Sequence, residues 1–333
     1  MDKFLPKLRS ENEITKNWKT LDPPLVSVVC ITYNHEPYIR DAIEGFLIQE
    51  TDFPFEIIIH DDASTDRTAE IVKEFESRYP TLIKGIYQTE NQYSKGKKVS
   101  AIAWSKARGE FIAFCEGDDY WIDPKKLEKQ KCFLDNHPDY GAVFSDTDRY
   151  YEETGRTIKS YDKTFKRKIP TGHVLDMLLN GRNPYVTCSS FFRSHFLREY
   201  ESTTRRLKAR MGDYVLWLII AGHSQIGYIR DTTSVYRIRK NSASRFDTLE
   251  EHMRFRKSSY KVSLFFSKRY QKPLNKKVWK KLFAKSKVSF CIDKKQYRKL
   301  PKYLNHPLIL AAEIGKALVR HIFSHKGVNN REP

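Results

Sequence analysis

Apolar positions switch between two periods along the first 120 residues. Leu25 to Ile31 is a near-continuous apolar, β-branched run, the pattern of a strand buried on both faces. From about Tyr38 to Ile48 apolar groups recur at helical spacing, at Ile39, Ala42, Ile43, Phe46 and Leu47. Phe55 to Ile59 reads as a second buried strand, and Ala69, Val72 and Phe75 mark a second helix. Leu82 to Tyr87 is a third strand, Val99 to Ala107 a third helix, and Glu110 to Cys115 a fourth strand. This alternation predicts βαβ units around a parallel sheet.

The pattern loosens from Tyr120. Lys125 to Asn136 and Asp213 to Ala221 read as helices. Ala142 to Ser145, Val186 to Arg193, Ile226 to Arg230 and Ser234 to Ile238 read as strands. After about Asp247 the chain is helical and basic, with few turn residues. The expected fold is α/β: a mixed, mainly parallel, Rossmann-like sheet flanked by helices. The expected division is an N-terminal extension over 1–24, one domain over 25–246 and a basic helical region over 247–333. Within the domain, a first half over 25–119 and a second over 120–246 are expected.

Composition narrows the class. The 333 residues are 40% hydrophobic, enough for a packed core, which excludes wholesale disorder. Lys plus Arg number 60 against 41 Asp plus Glu, a formal charge of +19. That excess favours anionic partners without choosing among nucleic acid, a membrane surface and phosphorylated substrates. Basic residues crowd the last third, as in Lys276-Lys277, Lys280-Lys281 and Lys294-Lys295, whereas acidic pairs mark the first half. Five cysteines show no metal-ligand spacing, which suits free thiols in a reducing compartment. No run reaches the ~18 apolar residues of a spanning helix, and Met1 to Leu21 has no apolar signal core. A cytoplasmic protein, free or peripheral at the inner face of the cell membrane, is expected.

Four motifs carry candidate chemistry. Ile31-Thr32-Tyr33-Asn34-His35-Glu36 follows the first strand, where open α/β sheets bind ligands. Its Tyr can face a nucleobase, and Asn34 equally suits a turn or an N-cap. His60-Asp61-Asp62-Ala63-Ser64-Thr65-Asp66 follows the second strand. There Ser64, Thr65 or Asp66 can start a helix. The adjacent Asp61 and Asp62 repel each other unless something compensates. Cys115-Glu116-Gly117-Asp118-Asp119-Tyr120-Trp121 places three carboxylates at the end of the fourth strand, the hard oxygen donors that Mg²⁺ or Mn²⁺ on a diphosphate requires. Gly212-Asp213-Tyr214 opens an apolar helix; Asp213 is either an N-cap or a general base.

Taken together, in this order, these motifs resemble the family 2 glycosyltransferases of bacterial surface-polysaccharide type, which have a GT-A fold. The likeness runs from about Leu25 to Arg245. It includes Gly109-Glu110-Phe111-Ile112, Thr187 to Arg193, and Tyr236-Arg237 ahead of Asn241-Ser242-Ala243-Ser244. The resemblance implies roles. Thr32, Tyr33, Asn34 and Glu36 would surround base and ribose, Asp62 would bind the uracil or ribose, and Asp118 would meet the ribose or sugar. Asp119 would ligate a divalent cation, Mn or Mg, and Asp213 would be the catalytic base. A basic nucleotide contact is implied between Asn91 and Lys98; Lys95 is the choice there, with Lys97 and Lys98 competing. Two departures stand out: Ala63 where the family has Gly, and Ile31 where it often has Pro or Thr.

The implied reaction is inverting transfer of a sugar from a nucleotide-sugar donor, UDP-sugar above others, to a hydroxyl of a glycan or lipid-linked acceptor. Sugar and acceptor choice are expected to lie around Tyr150 to Pro184. Two other classes fit less well. A nucleotidyltransferase wants a Gly-rich, basic phosphate loop after the first strand, where this chain has Thr-Tyr-Asn-His-Glu. A basic nucleic-acid-binding protein would carry a recognisable module, and none appears; no nucleic acid partner is expected. Leu308 to Phe323 reads as an amphipathic helix that either lies on an anionic bilayer or packs on the catalytic domain.

Overall fold

The computed structural model describes residues 8–207, 209, 211–240, 246–294 and 296. The Leu308–Phe323 helix and the Asn241–Ser244 stretch lie outside the described residues. After a short helix α1 (Glu11–Thr15), strand and helix alternate: β1 (Val26–Thr32), α2 (Ile39–Leu47), β2 (Phe55–Asp61), α3 (Thr68–Arg78), β3 (Ile83–Tyr87), α4 (Val99–Trp104) and β4 (Phe111–Glu116). The next elements are β5 (Tyr120–Trp121), α5 (Lys126–Asn136), β6 (Tyr140–Tyr151), β7 (Arg156–Ile158), α6 (Tyr161–Thr164) and α7 (Leu175–Leu179). A 3₁₀ turn (Thr187–Ser189) leads into β8 (Ser190–Arg193), then α8 (Phe196–Leu207), α9 (Gly212–His223), β9 (Gln225–Ile238), α10 (Leu249–Arg269) and α11 (Lys276–Asp293).

One sheet holds all the strands, in the order β3-β2-β1-β4-β8-β6-β9-β5, with β7 on β6. The first four strands are mutually parallel, with Val26 opposite both Phe55 and Phe111. β8 runs antiparallel to β4 and β6, β6 and β9 pair parallel, and β5 closes antiparallel on β9. The apolar strands are buried on both faces. Val28, Cys30, Ile57, Ile59, Ala113 and Cys115 join α2 and α3 in one core, whereas Val29, Ile58, Ile112 and Phe114 join α4, α8 and α9 in another. This is the α/β sheet flanked by helices that the periodicity predicts, and it brings the carboxyl ends of β1, β2 and β4 together at one edge.

Two segments differ from expectation. Val186 to Arg193 is not one strand; its first half is the 3₁₀ turn, and only Ser190 onward joins the sheet. The two short strands expected over Ile226–Ile238 are one 14-residue strand, with register shifts opposite Ser145–Thr147 and its centre exposed. Residues 8–24 lie on the α2–β2 and α3–β3 edges. Ile14 is buried, Trp18 Nε1 donates to Thr51 Oγ1 at 3.0 Å, and Glu11 accepts from the backbone N–H of Thr81 and Leu82. None of the five cysteines, all among the described residues, is in a disulfide, and Cys132 is the exposed one. No helix among the described residues is long and apolar enough to cross a membrane.

Candidate active site

The turns after β1 and β2 are stitched together. Asn34, in the left-handed region at φ 52°, donates its N–H to Ser64 Oγ at 2.9 Å and accepts from Thr65 N–H at 2.8 Å. Glu36 accepts from Arg67 N–H at 3.1 Å, and Asp66 accepts from Glu36 N–H at 3.1 Å and Thr68 N–H at 3.0 Å. The side chains of Asn34 and Glu36 thus hold loop to loop. Tyr33 stands beside them with 44% of its surface exposed, an unusual state for a large aromatic side chain.

Asp61 and Asp62 are both buried, and backbone donors compensate their charge. Asp61 accepts from the N–H and hydroxyl of Ser64. Asp62 accepts from Gln92 N–H at 2.8 Å and Tyr93 N–H at 2.9 Å, which fastens the 91–98 loop over the end of β2. Within that loop Lys95 points outward and pairs with Glu90, whereas Lys98 points inward and donates to the Ala209 carbonyl. Ala63 sits at φ 61°, the left-handed conformation that a glycine would occupy without steric cost.

The acidic cluster lies at the end of β4. Asp119 is buried, and its Oδ1 accepts from Arg237 N–H at 2.7 Å. Burial first, and then the charge of Asp118, push its carboxyl well above the usual range. Glu116 is raised by burial and then by Asp119, Asp118 and Asp213. Asp118 is paired with Arg239, whose Nη2 also donates to His35 Nε2 at 3.1 Å. A guanidinium only donates, so Nε2 is the acceptor nitrogen. Burial lowers His35 to about 4, which keeps it neutral at pH 7 with its proton on Nδ1. That Nδ1 and Thr32 Oγ1 are buried without a partner among the described residues. Both face Gly117, where a Cβ would come within 3.1 Å of His35 Nδ1 and 2.9 Å of Thr32 Oγ1. Two unanswered polar atoms at a strand end suit a ligand.

Asp213 lies in the first turn of α9, whose N-cap is Met211. It is therefore not the cap. Burial raises its carboxyl, opposed by Tyr214 N–H, the Thr187 hydroxyl and the charge of Lys98. Its charge also raises Glu116, so the two carboxylates lie near one another.

Among the described residues no set of three or more His, Cys, Asp or Glu side chains forms a metal cage. The donor chemistry still fits a hard cation. Burial and mutual repulsion oppose the ionisation of these carboxylates, a penalty a cation would relieve, and Mg²⁺ or Mn²⁺ on a diphosphate is commonly held by one or two carboxylates plus phosphate oxygens.

Sequence reading singled out neither His35, Arg237 nor Arg239 as site residues. The available signal is the two-residue spacing of Arg237, near the end of β9, and Arg239, just past it. Both guanidinium groups lie within 4.9 Å of the Tyr38 ring centre, and Arg237 also bonds Asp41 at 3.0 Å.

Comparison with known proteins gives the family and the fold. The family model described as "Glycosyl transferase family 2" matches residues 27–200. An uncharacterized Mycobacterium tuberculosis protein is 37% identical over 214 residues, 64% of this chain and 58% of that protein. The chain thus spans under two thirds of that relative's length. An uncharacterized glycosyltransferase of Methanocaldococcus jannaschii is 30% identical over 231 residues, covering 68% of this chain and 75% of that protein. The crystal structure of Staphylococcus aureus TarS residues 1–349 with UDP-GlcNAc superposes with TM-score 0.54 at 19% identity, covering 88% of this chain and 80% of that one, a likeness of GT-A fold. With its family model matched over more than half its length, the chain belongs to glycosyl transferase family 2.

Proposed function

We propose that the protein is an inverting glycosyltransferase that moves a sugar from a nucleotide-sugar donor to a hydroxyl of a glycan or lipid-linked acceptor in surface-polysaccharide synthesis. What supports this reading is the nearness of two acidic groups, one at the end of β4 and one at the start of α9. Glu116, Asp118 and Asp119 lie at the end of β4, and Asp213 is near enough to raise Glu116. The nucleoside would lie over the ends of β1 and β2, against Tyr33, Thr32 and the loop that Asp62 holds. Asn34 and Glu36 would shape that pocket by fixing its two turns. Lys95, on the outer side of the 91–98 loop, would reach the nucleotide only by releasing Glu90.

Asp119, with Asp118 beside it, would hold a divalent cation, Mn or Mg, which when bound takes up charge on the diphosphate. Asp118 would exchange Arg239 for the ribose or sugar. Asp213 would accept the proton of the acceptor hydroxyl as that oxygen attacks the anomeric carbon from the face opposite the diphosphate. One base suffices because the displacement is single, and the anomeric configuration inverts. UDP is the favoured nucleotide, in line with the TarS complex that shares the fold.

The division into an extension (1–24), a transferase domain (25–246) and a basic region (247–333) belongs to the same reading. Arg206, Phe265, Lys268 and Arg269 line a basic groove between α8 and α10. With the lysines of α11 it would give peripheral contact with an anionic membrane at its inner face. Liposome flotation tests that contact: no binding to anionic vesicles would remove it. The transfer itself is tested by a screen of UDP-, GDP- and TDP-sugars with Mn²⁺ or Mg²⁺. Turnover of one donor is expected, lost on Asp119→Asn and Asp213→Asn; no turnover of any donor would overturn the proposal.

A further inference from the structure

Lys98 lies between the two halves of the site. It is the N-cap residue of α4, in extended backbone, at the end of the loop that Asp62 fastens at Gln92 and Tyr93. Its ammonium donates to the carbonyl of Ala209, a buried residue just before α9. A second tie is steric. A Cβ on Gly212 would lie 2.4 Å from Tyr200 Oη and 3.6 Å from Ser100 Oγ, and those two oxygens are 3.3 Å apart. α4 and α8 therefore grip the entry to α9 on both sides of Met211, directly before Asp213.

We infer that Lys98 is a positioning residue for Asp213: it anchors the segment that enters α9 through the Ala209 carbonyl and sets a fixed positive charge beside the carboxylate that receives the acceptor's proton. This rests on the reading of Asp213 as the base. The groups that act on Asp213 or respond to it are Lys98 at the cap of α4, Thr187 from the 3₁₀ turn, Glu116 from β4, Tyr200 from α8 and the Tyr214 N–H of α9 itself. Lys98 is the cation among them. Burial drives Asp213 toward its protonated form, and a protonated carboxyl cannot act as a base. The Lys98 charge opposes that drive. The effect is mutual, since burial lowers Lys98 and Asp213 raises it. The role also accounts for the inward turn of Lys98 while Lys95, three residues earlier, pairs outward with Glu90.

The test compares wild type, Lys98→Met and Lys98→Arg in two measurements. The first is turnover, with Mn²⁺ from pH 5 to 9, of the donor that the UDP-, GDP- and TDP-sugar screen identifies. The second is the ¹³C-carboxyl titration of Asp213 in protein labelled at aspartate, assigned by its loss in Asp213→Asn. Lys98→Met is expected to lower kcat at least tenfold with donor KM within twofold. The acid limb of the profile and the Asp213 titration should both move up by about one unit. Lys98→Arg should restore most of both. An unchanged Asp213 titration in a folded Lys98→Met protein overturns the inference, as does a raised donor KM with kcat intact, which would make Lys98 a nucleotide contact. The two readings fail separately. Turnover retained by Asp213→Asn, or no wild-type turnover of any screened donor, removes the proposed chemistry, whereas the titration alone decides whether Lys98 governs Asp213.

Discussion

Arg239 and Asp118 form an ion pair inside the cleft, with side chains only 15% and 16% exposed. The same guanidinium nitrogen reaches His35, and Arg239 Nε is buried with no partner among the described residues. A pair this shielded is costly to break from one side, because the remaining charge stays desolvated. Arg239→Ala or Asp118→Ala alone should each destabilise the protein by about 2 to 3 kcal/mol. The double variant should cost less than the sum, with a coupling of about 1 to 2 kcal/mol in a urea-unfolding cycle. Strict additivity would show that the two charges do not meet in solution.

Asp213 and Asp119 separate chemistry from binding. Asp213→Asn keeps the size of the side chain but removes its basicity, so kcat should fall by roughly 10² to 10⁴. Donor affinity, measured by calorimetry with UDP and Mn²⁺, should stay within a few-fold of wild type. Asp119→Asn should weaken both, since it removes the carboxylate expected to hold the cation. Equal losses in the two variants would contradict this division of roles.

Ala63 follows Asp62 and holds φ at 61°. An L-residue in this region meets its own carbonyl, at about 1 to 2 kcal/mol. Ala63→Gly relieves that strain but adds freedom to the unfolded chain. The net expectation is a gain of about 1 kcal/mol, seen as a higher urea midpoint with an unchanged m-value. A lower midpoint would mean that the methyl group contributes packing which outweighs the strain.

The first half of the fold was legible because parallel strands buried on both faces read as apolar runs. Val26–Thr32, Phe55–Asp61 and Phe111–Glu116 are of this kind, and their acidic ends mark the cleft. β6 and β9 were not legible at full length. β6 runs past the Ala142–Ser145 strand read from the sequence and buries Asp146, Thr147 and Asp148, polar residues whose pattern does not mark a strand. They stay in the sheet because Asp146 accepts N–H groups of Asp162 and Lys163 from α6, and Asp148 accepts from Ser160. β9 runs through exposed Arg230 and Asp231, which breaks its pattern into two apparent strands. At the site, the acids were visible as clusters. Arg239 and His35 were not, because their places depend on β9 pairing beside β5, a contact between residues more than 100 apart in sequence.

Lys126 gives a prediction in which the sign of the pH effect decides. It is fully buried, its ammonium 4.2 Å from the centre of the Trp121 ring and 2.6 Å from Gln130 Oε1. Burial lowers its pKa to about 7. In the unfolded chain a lysine titrates near ~10.4. Between those values the unfolded state binds more protons than the folded one, so stability rises with pH from 7 to 10 and is lost as pH falls through 7. A difference of this size is worth up to about 5 kcal/mol. Lys126→Met keeps the chain length and removes the charge, though Gln130 loses a partner at about 1 to 2 kcal/mol. At pH 6 the variant should therefore be more stable than wild type by a few kcal/mol, and the gap should close by pH 10. Urea unfolding of both proteins at pH 6, 8 and 10 measures it. A gap that stays constant across that range would mean that Lys126 titrates as an ordinary lysine, with water reaching the space beneath Trp121.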